Sequence, residues 1–523
     1  MEYEHRDMQI IDTPLARSGR TIEEEREFFR QTPDSHEHAK SFETTVLLAQ
    51  QIQEQGGRAF VVGGAVRDEV LGVLPKDFDL EVHGLTASDL EHILAPHGVQ
   101  EATGTSFGTY KLPTEHGAVE LALPRRDSRT GDRHTDFTVD IVPDLGITEA
   151  ARRREYTIGA LYKDILTGSI YDPYHGIEDL ESKTLRMVDR QTFSDDALRV
   201  LRGAGFAARF GLTVEAETMH EMQRMVEHIG ALPKERLREE WTKILLKGKQ
   251  PSLGIEVLRE AGVFERWYPE LEQLWSTPQD TEYHPEGDVG THTQLVIDAA
   301  SELMQREPLP RGENLELMYA ALLHDVGKPI TTKDVDGRIR ALGHEAAGVK
   351  PAELFLDKLG FAPTVVRRIT ARVAEHMRPA ALYRQREQIS PKALRKLAFD
   401  IGPTHVQSLV FLAEADHRGR GPFTQVDGSS AFPDTTQYHA WWNDRMHEHE
   451  LHRPPEPILW GRDLVESDRG WKAGPLVGEA VRISEQLAIN GVTREQVLEC
   501  IDTSSTPEAA LDRLRQLLET STS

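Results

Sequence analysis

The chain has 523 residues, 38% of them hydrophobic and 28% charged, which is the length of three or four domains and the composition of a soluble globular protein. A formal net charge of -25 excludes a general polycation that coats nucleic acid, though not a local basic cleft. The single cysteine, Cys500, excludes an intramolecular disulfide and a thiolate metal cluster, and reads as a small apolar filler. The polar N-terminus has no apolar segment of a secretory signal, and no run reaches the roughly 18 apolar residues of a membrane span, so a cytoplasmic protein with no membrane contact is expected.

In chain order, residues 1–36 are charged and aperiodic, which predicts a flexible extension with at most a short helix around "EEEREFF". A helical pattern runs from about His38 to Gln55 and stops at Gly56-Gly57. Strands are predicted over Ala59–Val62, Asp77–Val82, Gly108–Lys111, Ala118–Leu121 and Thr138–Val142, forming a mixed sheet, with the polar excursion Arg125–Phe137 before the last of them. From about Ala150 strand signals fade and amphipathic helices follow, with Pro/Gly breaks near 276–290, 308–312, 419–435 and 451–457. The fold class is therefore α+β. It divides into an extension (1–36), a mixed-sheet head (37–180), a helical neck (181–270), a histidine-rich helical domain (271–425) and a helical tail (426–523).

Within "FVVGGAVRDEVLGVLPKDFDLEVHG" (Phe60 to Gly84), Asp77 and Asp79 are two apart. On a strand such residues share a face, so both carboxylates can grip divalent cations, with magnesium the usual choice when phosphates complete the shell. Glu120, on a neighbouring predicted strand, offers a third carboxylate. Gly63 and Gly64 let backbone amides approach a triphosphate, and Arg67 is placed to pair a phosphate. Alone, Asp77–Asp79 would be an ordinary solvated strand edge; the glycine turn and arginine before it change that reading.

This stretch resembles the signature of the polymerase-beta-type nucleotidyltransferases, in the branch that holds the tRNA CCA-adding enzymes and bacterial poly(A) polymerases. "RRREYTIGALY" (Arg152 to Tyr162) is similar to that family's second motif: Arg153, Arg154, Thr157 and Ala160 match, with Glu155 in place of an aspartate and Gly159 in place of an asparagine. "DPYHGIEDLESKTLR" (Asp172 to Arg186) is similar to its hinge-like third motif. "SDDALRVLRGAGFAARFG" (Ser194 to Gly211) resembles the nucleotide-selecting helix, with Asp196, Arg199 and Arg202 predicted on one helix face and Gly205 in place of an arginine. The resemblance implies that Asp196 and Arg199 read the edges of cytosine and adenine without a template, that Arg202 and Arg154 hold the nucleotide, and that Arg125–Phe137 is a flexible loop involved in switching from C to A addition. "PKERLREEWTKILLKG" (Pro233 to Gly248) is similar to the structural neck helix that follows.

Further on, His324-Asp325 in "ALLHDVGKP" gives an imidazole and a carboxylate from one helix, while His292 and Asp416 can close the set from elsewhere. Two histidines and two aspartates suit nickel, cobalt, manganese, iron or magnesium better than zinc, and such a site can polarise phosphate and activate water. This pattern resembles the HD phosphohydrolases, and the resemblance makes His344 and His376 accessory candidates. "HPEGD", "GHE" and the segment Pro457 to Val481 also occur in bacterial CCA enzymes that carry an HD domain. Those relatives imply phosphatase and 2′,3′-cyclic phosphodiesterase activity on nucleotide or RNA ends.

The sequence therefore predicts a template-independent tRNA nucleotidyltransferase that uses CTP and ATP at the tRNA 3′ end, with magnesium at the transferase site and an HD phosphohydrolase attached; no obligatory protein partner is evident. A CC-adding, A-adding or poly(A) enzyme, an HD hydrolase with a degenerate head, and a noncatalytic tRNA scaffold are the alternatives.

Overall fold

The computed structural model describes residues 11–33, 35–75, 77–98, 108–114, 117–129, 137–310, 312–402, 405–424, 429–451, 458–467 and 470–521. The chain forms two compact units, residues 1–232 with 256–263 and residues 233–255 with 264–523.

The strands of the first unit are β1 (Leu15–Ser18), β2 (Arg58–Val62), β3 (Asp79–His83), β4 (Thr109–Thr114), β5 (Gly117–Ala122), β6 (Arg125–Arg129), β7 (Phe137–Ile141), β8 (Tyr162–Asp164) and β9 (Ser169–Tyr171). Seven of them make one mixed sheet in the order β1-β9-β8-β2-β3-β5-β4. Only β3 and β5 are parallel neighbours in that sheet. The central strands bury Phe60, Val61 and Val62 of β2 and Leu80 and Val82 of β3. Helix α1 (Ile22–Gln31) and helix α2 (His36–Glu54) precede β2, and α2 buries Phe42, Val46, Leu48, Ala49 and Ile52.

Two expectations are corrected here. Residues 15–31 are not a loose extension: β1 closes the edge of the sheet and α1 follows, opened by a Thr21–Glu24 capping box. Two anchors hold this stretch: buried Phe29 of α1 packs on Phe42 and Phe78, and charged groups tie down the strand end. Glu69 accepts from Arg20 N at 2.7 Å and from Lys163 Nζ at 2.6 Å, and the buried Glu25 pairs with Arg20. The excursion after β5 is likewise partly strand, since Arg125–Arg129 pairs antiparallel with Phe137–Ile141. Residues 130–136, with the "DRH" of the predicted loop, lie outside the described residues.

In the second unit, helix α5 (Val289–Arg306), α6 (Glu313–Leu323), α7 (His344–Lys358), α8 (Pro363–Glu375) and α9 (Val406–Arg418) pack together, taking α3 (Gly64–Val70) and α4 (Leu198–Phe210) as the functional helices of the first unit. Helix α6 is buried on every side from Leu317 to Leu323, which makes it the centre of the bundle. Buried Arg372 of α8 braces it by pairing with Glu313 and with Glu316 at 2.9 Å. The helix Lys234–Lys247 belongs to this unit: Trp241 packs edge-on to Phe355 of α7 at 5.2 Å. The C-terminal residues carry a hydrophobic cluster of their own, including Leu464, Leu487, Val497 and Leu514.

Candidate active sites

In the first unit, β2 runs buried to Val62 and turns at Gly63, whose φ of 68° is costly for any side-chain-bearing residue, into α3. A Cβ on Gly63 would stand 3.6 Å from both Arg154 Nη1 and Gly159 O. The second motif thus meets the glycine turn directly. Beside it, Asp77 and Asp79 are exposed on either side of buried Phe78, and the parallel register sets Asp79 opposite Glu120. The strand is shorter than the predicted Asp77–Val82. It begins at Asp79, where the ladder with β5 starts. The surrounding protein and the negative Glu120 push the Asp79 carboxyl above its usual range. Lys111 lies 3.1 Å from Glu120. Asp79 and Glu120, neighbours in register, with Asp77 two residues before Asp79, are acceptor-only oxygens of the type a hard divalent cation takes.

Glu81, two residues beyond Asp79, was not singled out by the sequence. It is fully buried and touches Tyr162 Oη at 2.8 Å, His83 Nε2 at 3.1 Å, Arg153 Nη2 at 2.9 Å and Arg154 Nη2 at 3.6 Å. Burial pushes this carboxyl up, but His83, Arg153 and Arg154 outweigh it and hold the group well below the usual carboxylate range. Glu81 therefore fixes the two motif arginines beneath the turn.

Arg67 stands differently from expectation. It is buried, its Nε and Nη2 reach Asp68 Oδ1 at 3.1 and 2.9 Å, and its guanidinium lies 4.5 Å from the Phe210 ring of α4. Asp68 takes its charge, yet its Nη2 stays at the turn, 3.6 Å from where a Cβ on Gly64 would stand, as Arg154 Nη1 does for Gly63. Asp196 precedes α4 rather than sharing its face with Arg199: its Oδ1 accepts from Leu198 N at 2.9 Å. Arg199 donates to Thr192 O at 2.7 Å and Arg153 O at 3.1 Å, and Arg202 pairs with Glu155 through Nε at 3.0 Å. The nucleotide-selecting segment is therefore locked onto the second motif. The lock is tight: a Cβ on Gly203 would fall 2.2 Å from Tyr156 Oη, and one on Gly176 would fall 2.2 Å from Thr157 O.

In the second unit α6 delivers His324 and Asp325, α5 delivers His292 and α9 delivers Asp416; α7 and the end of α8 add His344 and His376. All six are buried. His292 Nε2 lies 3.2 Å from Asp416 Oδ1 and 3.8 Å from Asp325 Oδ2, while His324 Nε2 lies 3.2 Å from Asp325 Oδ2. On the other side of Asp325, Oδ1 is 3.2 Å from His344 Nε2 and 3.9 Å from His376 Nε2, and those two nitrogens are 3.3 Å apart. The accessory histidines thus form a second ligand group that shares Asp325 with the first.

Second partners fix the ring orientations. Nδ1 of His324, His344 and His376 donates to Ala321 O, Ala341 O and Val373 O at 2.8, 2.7 and 2.7 Å, which turns each Nε2 lone pair inward. His292 Nδ1 faces the buried carboxylate of Glu286 at 2.9 Å, which also meets His284 Nδ1 at 2.7 Å and Gly421 N at 3.0 Å. Burial opposes ionisation of Asp325 and Asp416, but His324 and Lys328 for the first, and Arg420 and His292 for the second, hold both well below the usual range. Burial pushes His376 down to about 3, leaving it in the neutral form that ligates. Nε2 of His292 and of His324 is buried without a hydrogen bond, facing the carboxylates. Orphaned acceptors of this kind fit a bound divalent cation.

Residues 59–186 match the Poly A polymerase head domain family, 211–274 the probable RNA and SrmB-binding site of polymerase A, and 289–400 the HD domain family. The fold and the two clusters thus define a nucleotidyltransferase of the poly(A) polymerase head class joined to an HD domain. The chain is 35% identical over 380 residues to the Multifunctional CCA protein of Methylobacillus flagellatus, spanning 70% of this chain and 85% of that protein. It belongs to the multifunctional CCA protein family. The fold is also similar to the Bacillus stearothermophilus CCA-adding enzyme in complex with CTP (TM-score 0.57, 20% identity, 92% of this chain and 98% of that one). A further match is the Thermotoga maritima CCA-adding enzyme complexed with tRNA (TM-score 0.52, 18% identity, 96% and 100%). No helix among the described residues is long and apolar enough to cross a membrane.

Proposed function

We propose that this enzyme adds or repairs the 3′-terminal CCA of tRNA with CTP and ATP, and that its HD half hydrolyses phosphate esters at RNA or nucleotide ends. The observation that carries the first activity is Asp79 in register with Glu120 beside the Gly63 turn, with Arg154 at that turn. The tRNA 3′-hydroxyl attacks the α-phosphate of the nucleotide, a new P–O bond forms and pyrophosphate leaves. Bound cations, magnesium at Asp77 and Asp79 and nickel, cobalt, manganese or magnesium at the histidine cluster, would supply an activated oxygen nucleophile and neutralise phosphate charge.

The chain's own residues do the positioning. Asp77, Asp79 and Glu120 gather the charge that draws the cation in, and Arg154, braced by Glu81, pairs the triphosphate where the glycines admit it. Asp196 accepts from, and Arg199 donates to, the base edge, the first held by Leu198 N and the second by the carbonyls of Thr192 and Arg153. Arg202 supports that motif through Glu155. In the HD half, His292, His324, Asp325 and Asp416 hold one cation, while His344 and His376 share Asp325 to hold a second or to meet the phosphate.

Asp77→Ala and Asp79→Ala each abolish CMP and AMP incorporation in magnesium while metal-dependent hydrolysis persists. Near-native incorporation by either variant contradicts the assignment. Replacing His324 and Asp325 together by alanine removes hydrolysis of p-nitrophenyl phosphate across a divalent-metal panel.

A further inference from the structure

Beyond the buried ligands, the HD half opens into a cavity of about 610 Å³. Asp325, His344 and Asp416 line part of it. Such a volume suits a ligand the size of a nucleotide or more, not a lone phosphate. Away from these the wall carries Lys328, Arg338, Arg340, Arg384 and Arg420, from separate elements, against one carboxylate, Asp280. Arg338 and Arg340 stand two apart on one strand of a tight antiparallel hairpin, Lys333–Val335 with Arg338–Arg340, so they share a face. Arg384 ends the helix Arg378–Arg384 and lines the same cavity.

The cations differ in how they are engaged. Lys328 sits 2.7 Å from Asp325, and Arg420 sits 3.4 Å from Asp416, so both serve the ligand carboxylates. Among the described residues Arg340 and Arg384 make no ion pair, and Arg338 reaches only an exposed Glu282 at 3.7 Å. Arginines that no carboxylate claims, facing a cavity in a chain of net charge -25, mark a second anion position away from the buried ligands. At the rim Tyr283 is 50% exposed, an aromatic face of the kind on which an unpaired base stacks.

We propose that this cavity takes an RNA 3′ end through two consecutive phosphates. The terminal phosphate lies at the histidine–aspartate cluster, the preceding phosphodiester lies on Arg340 and Arg384, and a base stacks on Tyr283. The inference rests on the hydrolytic reading of the HD half and adds its substrate class, an oligonucleotide end rather than a free mononucleotide. In the reaction, water adds across one P–O bond of a terminal 2′,3′-cyclic phosphate; its oxygen joins phosphorus, its proton goes to the freed ribose oxygen, and a phosphomonoester remains.

The test compares, with the full-length enzyme and manganese or nickel, an adenosine dinucleotide ending in a 2′,3′-cyclic phosphate against 2′,3′-cyclic AMP. The dinucleotide is expected to have the higher kcat/KM by about tenfold for each arginine that meets the inner phosphate. Its log–log dependence on salt is expected to be steeper by about 0.7 for that phosphate. Arg340→Ala and Arg384→Ala each shrink the preference, and the double variant removes it and flattens the salt slope, with thermal unfolding of each variant as the control for folding. Equal kcat/KM for the two substrates, or a preference the double variant leaves intact, overturns the subsite while leaving the hydrolase in place. Hydrolysis of neither substrate with any metal overturns the hydrolytic reading, and the subsite falls with it.

Discussion

Glu286→Gln tests how the HD cluster is held. The Glu286 side chain is 1% exposed and meets Nδ1 of both His284 and His292. It also accepts from Gly421 N at 3.0 Å. Glutamine keeps the volume but loses the charge, and it presents an amide donor to at least one of these donors. The imidazole of His292 then loses the charged partner that raises its basicity, and keeps Gly419 O, 3.3 Å from Nδ1, as a neutral acceptor. Outer partners of this kind are worth about 10- to 100-fold in metal affinity, or roughly 1.4–2.7 kcal/mol. The assay is calorimetric titration of the metal-free enzyme with manganese or nickel, followed by hydrolysis of 2′,3′-cyclic AMP at saturating metal. The expected result is affinity weaker by that factor, with much of the rate restored at high metal. Affinity within about twofold of the parent would refute the argument, because the neutral Gly419 O at 3.3 Å does not replace the charge that Glu286 sets against His292.

Arg154→Ala raises KM for CTP and ATP with a modest change in thermal stability, whereas Arg67→Ala, which leaves buried Asp68 only the longer pair with Arg209 at 3.5 Å, lowers stability by about 1–3 kcal/mol; steady-state kinetics and urea unfolding separate them, and the reverse pattern contradicts the placement. Gly203→Ala forces Cβ against Tyr156 Oη and costs about 1–3 kcal/mol of overpacking, seen as a lowered urea midpoint together with blurred CTP and ATP selection. Glu81→Gln breaks a buried pair at about 3–5 kcal/mol near neutral pH. Because the folded Glu81 carboxyl is held below its ordinary value of 4.5, its contribution is fully present above that pH and drains as pH falls further. The gap between parent and variant in unfolding free energy should therefore narrow in acid, and a gap independent of pH would count against the ionised pair.

Much of both sites was legible because their chemistry is concentrated in short stretches. Gly63, Gly64, Asp77 and Asp79 span one strand–turn–helix–strand unit, and His324-Asp325 is contiguous. Fold class followed from the change of period after residue 150. What the sequence hid depends on side-chain direction or long-range pairing. Motif spacing places Arg67 at the turn, but not its pairing with Asp68 or its contact with the Phe210 ring. Strand β1 carries little apolar alternation, with Leu15 at 53% exposure, because buried ion pairs around Glu69 and Lys163 hold that edge. Strands β8 and β9 have three residues each, too few to show a period. Glu286 was visible within "HPEGD", yet its role appears only when folding sets it against His292. Arg340 and Arg384 lie far from His324 in sequence, and only the folded unit places them in one cavity with Asp325.

The most direct test of the central claim uses three tRNA acceptors, ending at the discriminator base, at C and at CC, each incubated with the enzyme, magnesium and labelled CTP or ATP. Products are resolved at single-nucleotide length. The account predicts two additions from CTP on the first acceptor, one on the second and none on the third. ATP then adds a single residue only to the acceptor ending in CC, and Asp79→Ala is blank in every lane. Termination after CC with ATP present, long adenylate tails, or no incorporation by the parent enzyme would contradict it.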